Sequence, residues 1–261
     1  MPGIPLVTFE DTVPINEVYG PTIQGEGPDT GRLCVFVRTH NCPVQCKGCD
    51  THYTWDGSED GKGHDAGQLI AKVAGCKDRH KHMGVVVSGG EPLLYFRKQE
   101  WSDTVAAWSR EAWCSLETSG FVSPRILSRE DVRRLQHHLG CYSRVCWSPK
   151  VTPCLWGGSW SRDQLLANAD VLLDTFRLAP HRLYIKMVAL GHDDLMAIKH
   201  FADTYQLEER GHTVYVMPYG VHAEDVAETS RRLAEELPSL GTGYRLATRL
   251  HSTLWGKDRK R

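Results

Sequence analysis

Neither sign of charge is in excess: 31 Lys and Arg stand against 32 Asp and Glu in 261 residues, a formal net charge of −1. Without a basic surplus, wholesale phosphate binding is not expected, and with it goes direct contact with nucleic acid. Long apolar runs are also missing. None approaches the ~18 residues of a membrane span, and residues 1–20 lack the charged start and apolar stretch of an export leader. The expectation is a cytoplasmic chain with no membrane partner. No repeat or low-complexity linker divides it. With 41% apolar and 24% charged residues, 24 Gly and 13 Pro, the composition is that of an ordinary globular protein.

A disulfide framework is lacking as well. The cysteines number nine, an odd count, in a mid-sized chain without an export signal, which points to a reducing compartment. Three of them crowd into one short stretch, Cys42, Cys46 and Cys49. Thiolates select zinc, copper(I) or iron–sulfur clusters. A zinc site usually pairs two knuckles, and no second one lies at a comparable distance. His40 and His52 flank the trio and leave a Cys3His zinc site open as an alternative. Otherwise three thiolates suit three irons of a 4Fe–4S cube whose fourth iron has no protein ligand. An electron carrier brings four cysteines to its cube, so an open iron suits chemistry better.

Short apolar runs recur, at Leu33–Thr39, Gly84–Ser88, Trp113–Glu117, Arg144–Ser148, Arg182–Val188, Thr213–Met217 and Tyr244–Leu250. Helical patterns lie between several of them. Ala66, Leu69, Ile70 and Val73 share one helical face, as do Val226, Leu233 and Leu237. Trp55–Asp65 reads as an exposed loop. Strand–helix alternation predicts an α/β fold with a largely parallel sheet, about six units forming a partial (β/α) barrel. The polar, Gly-rich and Pro-rich stretches after five strands would then converge on one mouth.

The cysteine spacing after the first strong strand, followed by Gly89-Gly90-Glu91-Pro92 after the next, resembles the radical S-adenosylmethionine (SAM) superfamily. Within it, Asn16-Glu17, Gln24-Gly25-Glu26-Gly27, Val35-Phe36-Val37-Arg38, Cys49-Asp50-Thr51 with Tyr53 and Trp55, Glu117-Thr118-Ser119-Gly120, Ser148-Pro149-Lys150, and Arg249-Leu250-His251 with Trp255-Gly256 resemble the 7-carboxy-7-deazaguanine synthases. The likeness runs from about residue 15 to residue 256 of a single domain and leaves a short basic tail, Lys257–Arg261.

The resemblance implies conversion of 6-carboxy-5,6,7,8-tetrahydropterin to 7-carboxy-7-deazaguanine with loss of ammonia, in 7-deazapurine (queuosine-type) biosynthesis. A reduced 4Fe–4S cluster held by Cys42, Cys46 and Cys49 would cleave SAM, and the resulting 5′-deoxyadenosyl radical would take hydrogen from carbon 6. SAM is regenerated at the end. Glu26 and Arg38 are implied at the reacting centre, and Ile23, Gln24, Gly25, Ser88 and His251 around the pterin. Arg38 would grip the substrate carboxylate with a planar fork that Lys lacks; the bland reading is a structural ion pair. Thr51 would hold magnesium, which needs few protein groups; its bland reading is a turn cap. Gly48, Cys49, Asp50, Gly89, Gly90, Glu91, Ser119, Ser148, Pro149, Lys150 and Met217-Pro218-Tyr219-Gly220 would surround SAM. Gly89 and Gly90 are expected to let the backbone approach the ligand closely, and Glu91 to support that loop or accept from the SAM ammonium.

Ser119 stands where Asn is expected. Cys141, Cys146 and Cys154 match no specific cluster spacing. The resemblance also implies a flavodoxin or ferredoxin as electron donor, and a homodimer. The rivals are another radical SAM enzyme, such as a glycyl-radical activase, and a non-catalytic zinc or iron–sulfur protein.

Overall fold

The computed structural model describes residues 12–78, 80–155, 159–220, 222–256 and 258. Of the basic tail only Asp258 falls within them. Nine strands form one sheet: β1 (Val13–Ile23), β2 (Leu33–Thr39), β3 (Lys62–His64), β4 (Gly84–Gly89), β5 (Cys114–Thr118), β6 (Arg144–Trp147), β7 (Leu183–Ala189), β8 (Val214–Pro218) and β9 (Tyr244–Leu246). Their order is β3-β1-β2-β4-β5-β6-β7-β8-β9. From β2 to β9 every neighbour is parallel, while β1 runs antiparallel to both β2 and β3. Each parallel strand lies beside its predecessor, so successive crossovers progress in one direction. Two edges remain, and the barrel is partial, as the alternation of strand and helix predicts.

Among the described residues eight helices flank the strands: α1 (Ala66–Lys77), α2 (Gln99–Glu111), α3 (Arg129–Gly140), α4 (Arg162–Leu165), α5 (Ala169–Thr175), α6 (His192–Thr204), α7 (Ala223–Glu236) and, after the last strand, α8 (Leu250–Trp255). Caps fix where some of them start. Asp65 and Gln68 form a reciprocal capping box on α1, and Ser128 accepts from the Asp131 amide on α3, satisfying donors that have no intrahelical partner. Trp101, Val105 and Trp108 repeat at helical spacing on α2 and are buried. Trp101 and Trp108 meet edge-to-face at 5.9 Å between centroids. Removing either ring would cost about 3–5 kcal/mol.

The two faces of the sheet differ in kind. Side chains alternate along a strand, and one set packs into the main apolar core: Val35 and Val37 of β2, Val85 and Val87 of β4, Leu116 of β5, Val145 and Trp147 of β6, Ile185 and Met187 of β7. The intervening residues share the opposite face. Among them are Arg38, Ser88, Glu117, Cys146 and Lys186. Register aligns this row across the sheet, with Arg38 opposite Ser88, Glu117 opposite Cys146, and Cys146 opposite Tyr184. The fold therefore builds a polar wall on the face away from the main core.

Three readings of the sequence need correction. Trp55–Asp65 is not wholly loop, because Lys62–His64 pairs with Val13–Ile15 as β3. Tyr244–Leu250 is not one strand; it ends at Leu246 and the chain turns into α8. Ile70 does not join its helical companions: Leu69 and Val73 are buried, but Ile70 is exposed, since the apolar stripe of α1 is narrower than four residues suggest.

Candidate functional site

The loop after β2 carries the three cysteines at the C-terminal mouth of the sheet. It is anchored at several points. The Asn41 amide donates to Thr54 O at 2.8 Å, Lys47 N to Leu155 O at 3.2 Å, and the Trp160 indole to Pro43 O at 2.8 Å. Tyr95 Oη donates to His40 O at 2.7 Å. Gly48 adopts a left-handed conformation, and a Cβ there would lie 2.4 Å from Tyr219 Oη. Glycine suits both the conformation and the close contact. It brings the cysteine loop against the loop after β8.

Burial raises the Cys42 thiol, with Glu91 adding to the effect; burial also raises Cys46, opposed by nearby Lys150. Such thiols lose their protons to a metal when they bind one. Among the described residues, no three His, Cys, Asp or Glu side chains are gathered closely enough to share one metal ion. The trio is strung along the one loop between β2 and the short turn His52–Thr54. The flanking histidines have other partners: His40 Nδ1 meets Asn16 Oδ1 at 2.9 Å, and His52 Nδ1 meets Asp56 Oδ2 at 2.7 Å.

Thr51 begins the short turn His52–Thr54, but its hydroxyl makes no capping bond. The hydroxyl lies 3.6 Å from Cys49 Sγ. Thr51 does occupy the cap position of that turn, its carbonyl accepting from Thr54 N at 2.9 Å and Thr54 Oγ1 at 2.8 Å, which leaves its hydroxyl out of the cap.

The Gly89-Gly90-Glu91 turn packs on this loop from the side of β4. A Cβ on Gly89, which has φ +121°, would lie 2.3 Å from Thr39 N, and one on Gly90 would lie 2.0 Å from Asn41 O. Both close approaches are to backbone within the protein, Gly89 to the last residue of β2 and Gly90 to the cysteine loop. Glu91 is fully buried and accepts from Leu93 N at 3.0 Å, Thr118 Oγ1 at 2.5 Å, Ser119 N at 2.8 Å and Ser119 Oγ. Of its two expected roles, loop support is the one with visible partners. Burial raises its pKa, and only uncharged donors counter that. Ser119 donates to Glu91 through its backbone amide and its hydroxyl, while its carbonyl accepts from the Trp147 indole at 3.0 Å.

Farther along the mouth, Lys150 Nζ donates to Ser148 Oγ at 2.8 Å. Its charge acts on Cys46, so it is not a purely solvated lysine. Met217, Pro218 and Gly220 are buried at the end of β8, and Met217 packs with Leu155, Val188 and Ala247 in a small second apolar cluster joined by Tyr219.

The polar wall joins the Gln24–Glu26 segment. Gln24 Nε2 donates to Glu117 Oε1 at 2.8 Å, and Gln24 Oε1 accepts from Glu26 N at 3.2 Å. Its amide and carbonyl pair with Arg32 O and Gly31 N, and Gly25 O accepts from Leu250 N. Ile23 pairs with Leu33. Much of the polarity expected to face a ligand here is therefore spent on holding the wall together.

Ser88 Oγ donates to the other oxygen of Glu117 at 3.4 Å. Lys186 Nζ donates to Glu26 Oε2 and lies 3.7 Å from Glu117 Oε2. Burial would raise Glu26, but Lys186, His251 and Arg249 together hold it below the ordinary carboxylate range. Burial would lower Lys186, yet Glu117 and Glu26 drive it well above the ordinary amine value.

His251 sits on α8, not in a strand. Its Nε2 is 3.8 Å from Glu26 Oε1, and a Cβ on Gly25 would lie 2.3 Å from its Nδ1. Arg38 contacts Glu17 at 3.3 Å through Nε and Tyr19 Oη at 3.2 Å through Nη2. It is an ion-paired arginine on the polar wall, and any substrate carboxylate must share it with Glu17.

Three residues outside the expected site belong to it by position: Glu117 and Lys186 on the wall, and Arg249. Arg249 donates to Gly220 O, bonds Asp50 Oδ2 at 3.0 Å and lies 3.7 Å from Glu26 Oε1. It ties the cysteine loop, the β8 loop and the polar wall to one another. Lys186 had a visible signal, a single charge inside the apolar run Leu183–Ala189, because a charge in a buried strand needs a partner. Cys141, Cys146 and Cys154 lie apart: one bonds His137 O after α3, one sits in β6, and one contacts Thr152 and Val188 O.

Known proteins resemble this chain in sequence and in fold. A family model described as a 4Fe-4S single cluster domain matches residues 23–141, which include Gln24, Glu26, the cysteine trio and Glu117. The 7-carboxy-7-deazaguanine synthase of Pyrobaculum aerophilum is 28% identical over 249 residues, covering 95% of this chain and 96% of that protein. The crystal structure of QueE from Escherichia coli superposes with a TM-score of 0.59 at 22% identity, over 92% of this chain and 95% of that one. Streptococcus suis SuiB, solved bound to S-adenosylmethionine, shares the fold with a TM-score of 0.53 at 13% identity, over 82% of this chain and 50% of its own. Over nearly all of its length the chain is similar in sequence to the 7-carboxy-7-deazaguanine synthase of Pyrobaculum aerophilum, and it shares its fold with QueE from Escherichia coli.

Proposed function

We propose that this chain is a radical SAM lyase that converts 6-carboxy-5,6,7,8-tetrahydropterin to 7-carboxy-7-deazaguanine and ammonia. One observation carries the reading. A wall with carboxylates on Glu26 and Glu117 and cations on Arg38 and Lys186 stands beside a three-cysteine loop, joined to it by the Arg249–Asp50 contact. Such a wall suits a small ligand that has both N–H donors and a carboxylate.

Cys42, Cys46 and Cys49 are the residues that would hold a 4Fe–4S cluster, and the raised thiols of Cys42 and Cys46, the loop spacing and the close contact of Gly48 with Tyr219 fit that group. When bound, the cluster supplies one electron for the reductive cleavage of SAM and hence a hydrogen-abstracting radical. The protein's own residues position and shield. Gly48, Cys49, Asp50, Ser119, Ser148, Pro149, Lys150 and Met217–Gly220 frame the SAM side, while Gly89, Gly90 and Glu91 brace the loop. Glu26, Ser88, Glu117 and His251 face the pterin, and Arg38 takes its carboxylate alongside Glu17. The Thr51 hydroxyl is an oxygen donor suited to magnesium at the junction of the two ligands.

Electron supply by a flavodoxin or ferredoxin and a homodimeric state complete the proposal. No described helix is long and apolar enough to cross a membrane.

The test is an anaerobic assay of the reconstituted chain with the carboxytetrahydropterin, SAM, magnesium and a reductant. The expected result is 7-carboxy-7-deazaguanine with equimolar ammonia and no net loss of SAM. A chain carrying its full iron complement that cleaves SAM but leaves the pterin unchanged would contradict it.

A further inference from the structure

Lys186 is the one charged residue of β7, a strand buried along all seven of its residues. Its neighbours in the strand, Ile185 and Met187, turn to the main core, and Lys186 turns to the other face. There its ammonium donates to Glu26 and lies 3.7 Å from Glu117. Glu26 comes from the segment before β2 and Glu117 from the end of β5, so a single cation draws together two distant parts of the chain. Of the three side chains the lysine is the most sealed, exposed by 7%, and Glu117 the most open, exposed by 17%. The two carboxylates are the more accessible groups of the three.

Other groups surround the cluster without replacing this lysine. Gln24 and Ser88 donate to the two oxygens of Glu117. Arg249 and His251 approach Glu26 on its other oxygen, at 3.7 and 3.8 Å. Cys146 and Tyr184 are buried nearby as neutral groups, with burial pushing Cys146 up to about 12 and Tyr184 well above the ordinary phenol range. Cys34 lies behind Glu117 and is also raised by burial. Without Lys186, Glu117 would have two neutral donors and no cation within salt-bridge distance among the described residues. With their shared ammonium gone, two buried carboxylates are disfavoured as a pair of anions, and one takes up a proton.

We infer that Lys186 is a positioning residue: it keeps Glu26 and Glu117 as a pair of acceptor-only carboxylates, and so sets the affinity for the N–H donor edge of the pterin without itself reacting. This rests on the function proposed above for the identity of the ligand. The protonation state of the wall does not depend on that identity.

The experiment uses the reconstituted holoenzyme and the variants Lys186→Met, Lys186→Arg and Lys186→Met/Glu26→Gln. Lys186→Met is expected to raise the KM for the carboxytetrahydropterin by at least about 10-fold. SAM affinity and uncoupled SAM cleavage should stay within about twofold of wild type. Its pterin affinity should also become pH-dependent and strengthen as pH rises, because deprotonation restores the second acceptor. Wild type and Lys186→Arg should show no such dependence.

Infrared spectroscopy adds a readout that needs no turnover. A protonated-carboxyl band should appear in Lys186→Met at neutral pH and vanish in Lys186→Met/Glu26→Gln, where a single carboxylate remains. The double variant also balances the lost ammonium, so it is expected to fold if the single variant does not, with SAM binding intact and pterin affinity weakened.

Equal losses of SAM and pterin binding, a flat pH profile in Lys186→Met, or no carboxyl band would overturn the inference. If wild type fails to turn over the pterin while the band appears as expected, the proposed function falls and the role of Lys186 stands.

Discussion

Glu91 and Glu26 are both buried glutamates at the same mouth, and they are held in opposite ways. Glu91 is enclosed by hydroxyls and backbone amides from Leu93, Thr118 and Ser119. Glu26 is enclosed by Lys186, Arg249 and His251. Neutral donors fix a loop in place and leave nothing over; cations hold a charge ready for a ligand. The first arrangement belongs to the scaffold that shapes the cysteine loop, and the second to the chemistry beside it.

Exchanging each residue in turn tests that division. Glu91→Ala leaves several buried donors without an acceptor and should destabilise the fold by about 3–5 kcal/mol. Denaturant unfolding would show the loss, and cluster loading would fall with it. Glu26→Gln should do the reverse. Pterin turnover is expected to drop by about 100-fold, the loss of a charged hydrogen bond, while cluster content and uncoupled SAM cleavage persist. If Glu26→Gln proves the more damaging to cluster loading, the contrast is wrong.

Arg38→Lys probes the boundary between the two kinds of residue, since Arg38 already serves Glu17 and Tyr19. Lysine keeps the charge and loses the planar fork, so pterin use should weaken by about 10-fold and SAM binding much less. Equal losses would make Arg38 part of the scaffold alone.

The smallest expected effect lies in the pH dependence of stability. The folded-state pKa of Glu26 is depressed. Its stabilising contribution is therefore present above the unfolded value near 4.5 and is lost as pH falls toward the folded value. Glu91 is raised, so its contribution is present below that unfolded value and is lost as pH rises through the folded one. Unfolding measured from about pH 3 to about pH 7 should show the deficit of Glu26→Gln growing with pH and that of Glu91→Gln shrinking. Parallel profiles would erase the distinction.

Much of this architecture is legible in the sequence, and the omissions have physical causes. β2 is read at Leu33–Thr39 in full, because a buried parallel strand is a continuous β-branched and apolar run. β1 escapes notice because Pro14, Gly20 and Pro21 interrupt it, and such residues argue against a strand except near an edge. Only β3 lies outside it in the sheet. The motif residues are brought to one mouth as the strand order implies. Their partners are another matter. Lys186 and Glu26 are 160 positions apart, and Gln24 and Glu117 are 93 apart. No spacing reveals such pairs; only the register of the sheet does. The same limit hides the close approach of Gly89 to Thr39 and of Gly90 to Asn41.

The central claim is that three cysteines hold a cluster with one metal corner left for SAM. Its most direct test is metal analysis of the anaerobically reconstituted chain, with its visible spectrum recorded before and after SAM is added. The account predicts about four irons per chain and a broad absorption that changes on SAM addition. Zinc in place of iron, or an iron–sulfur spectrum that SAM leaves unmoved, would contradict it.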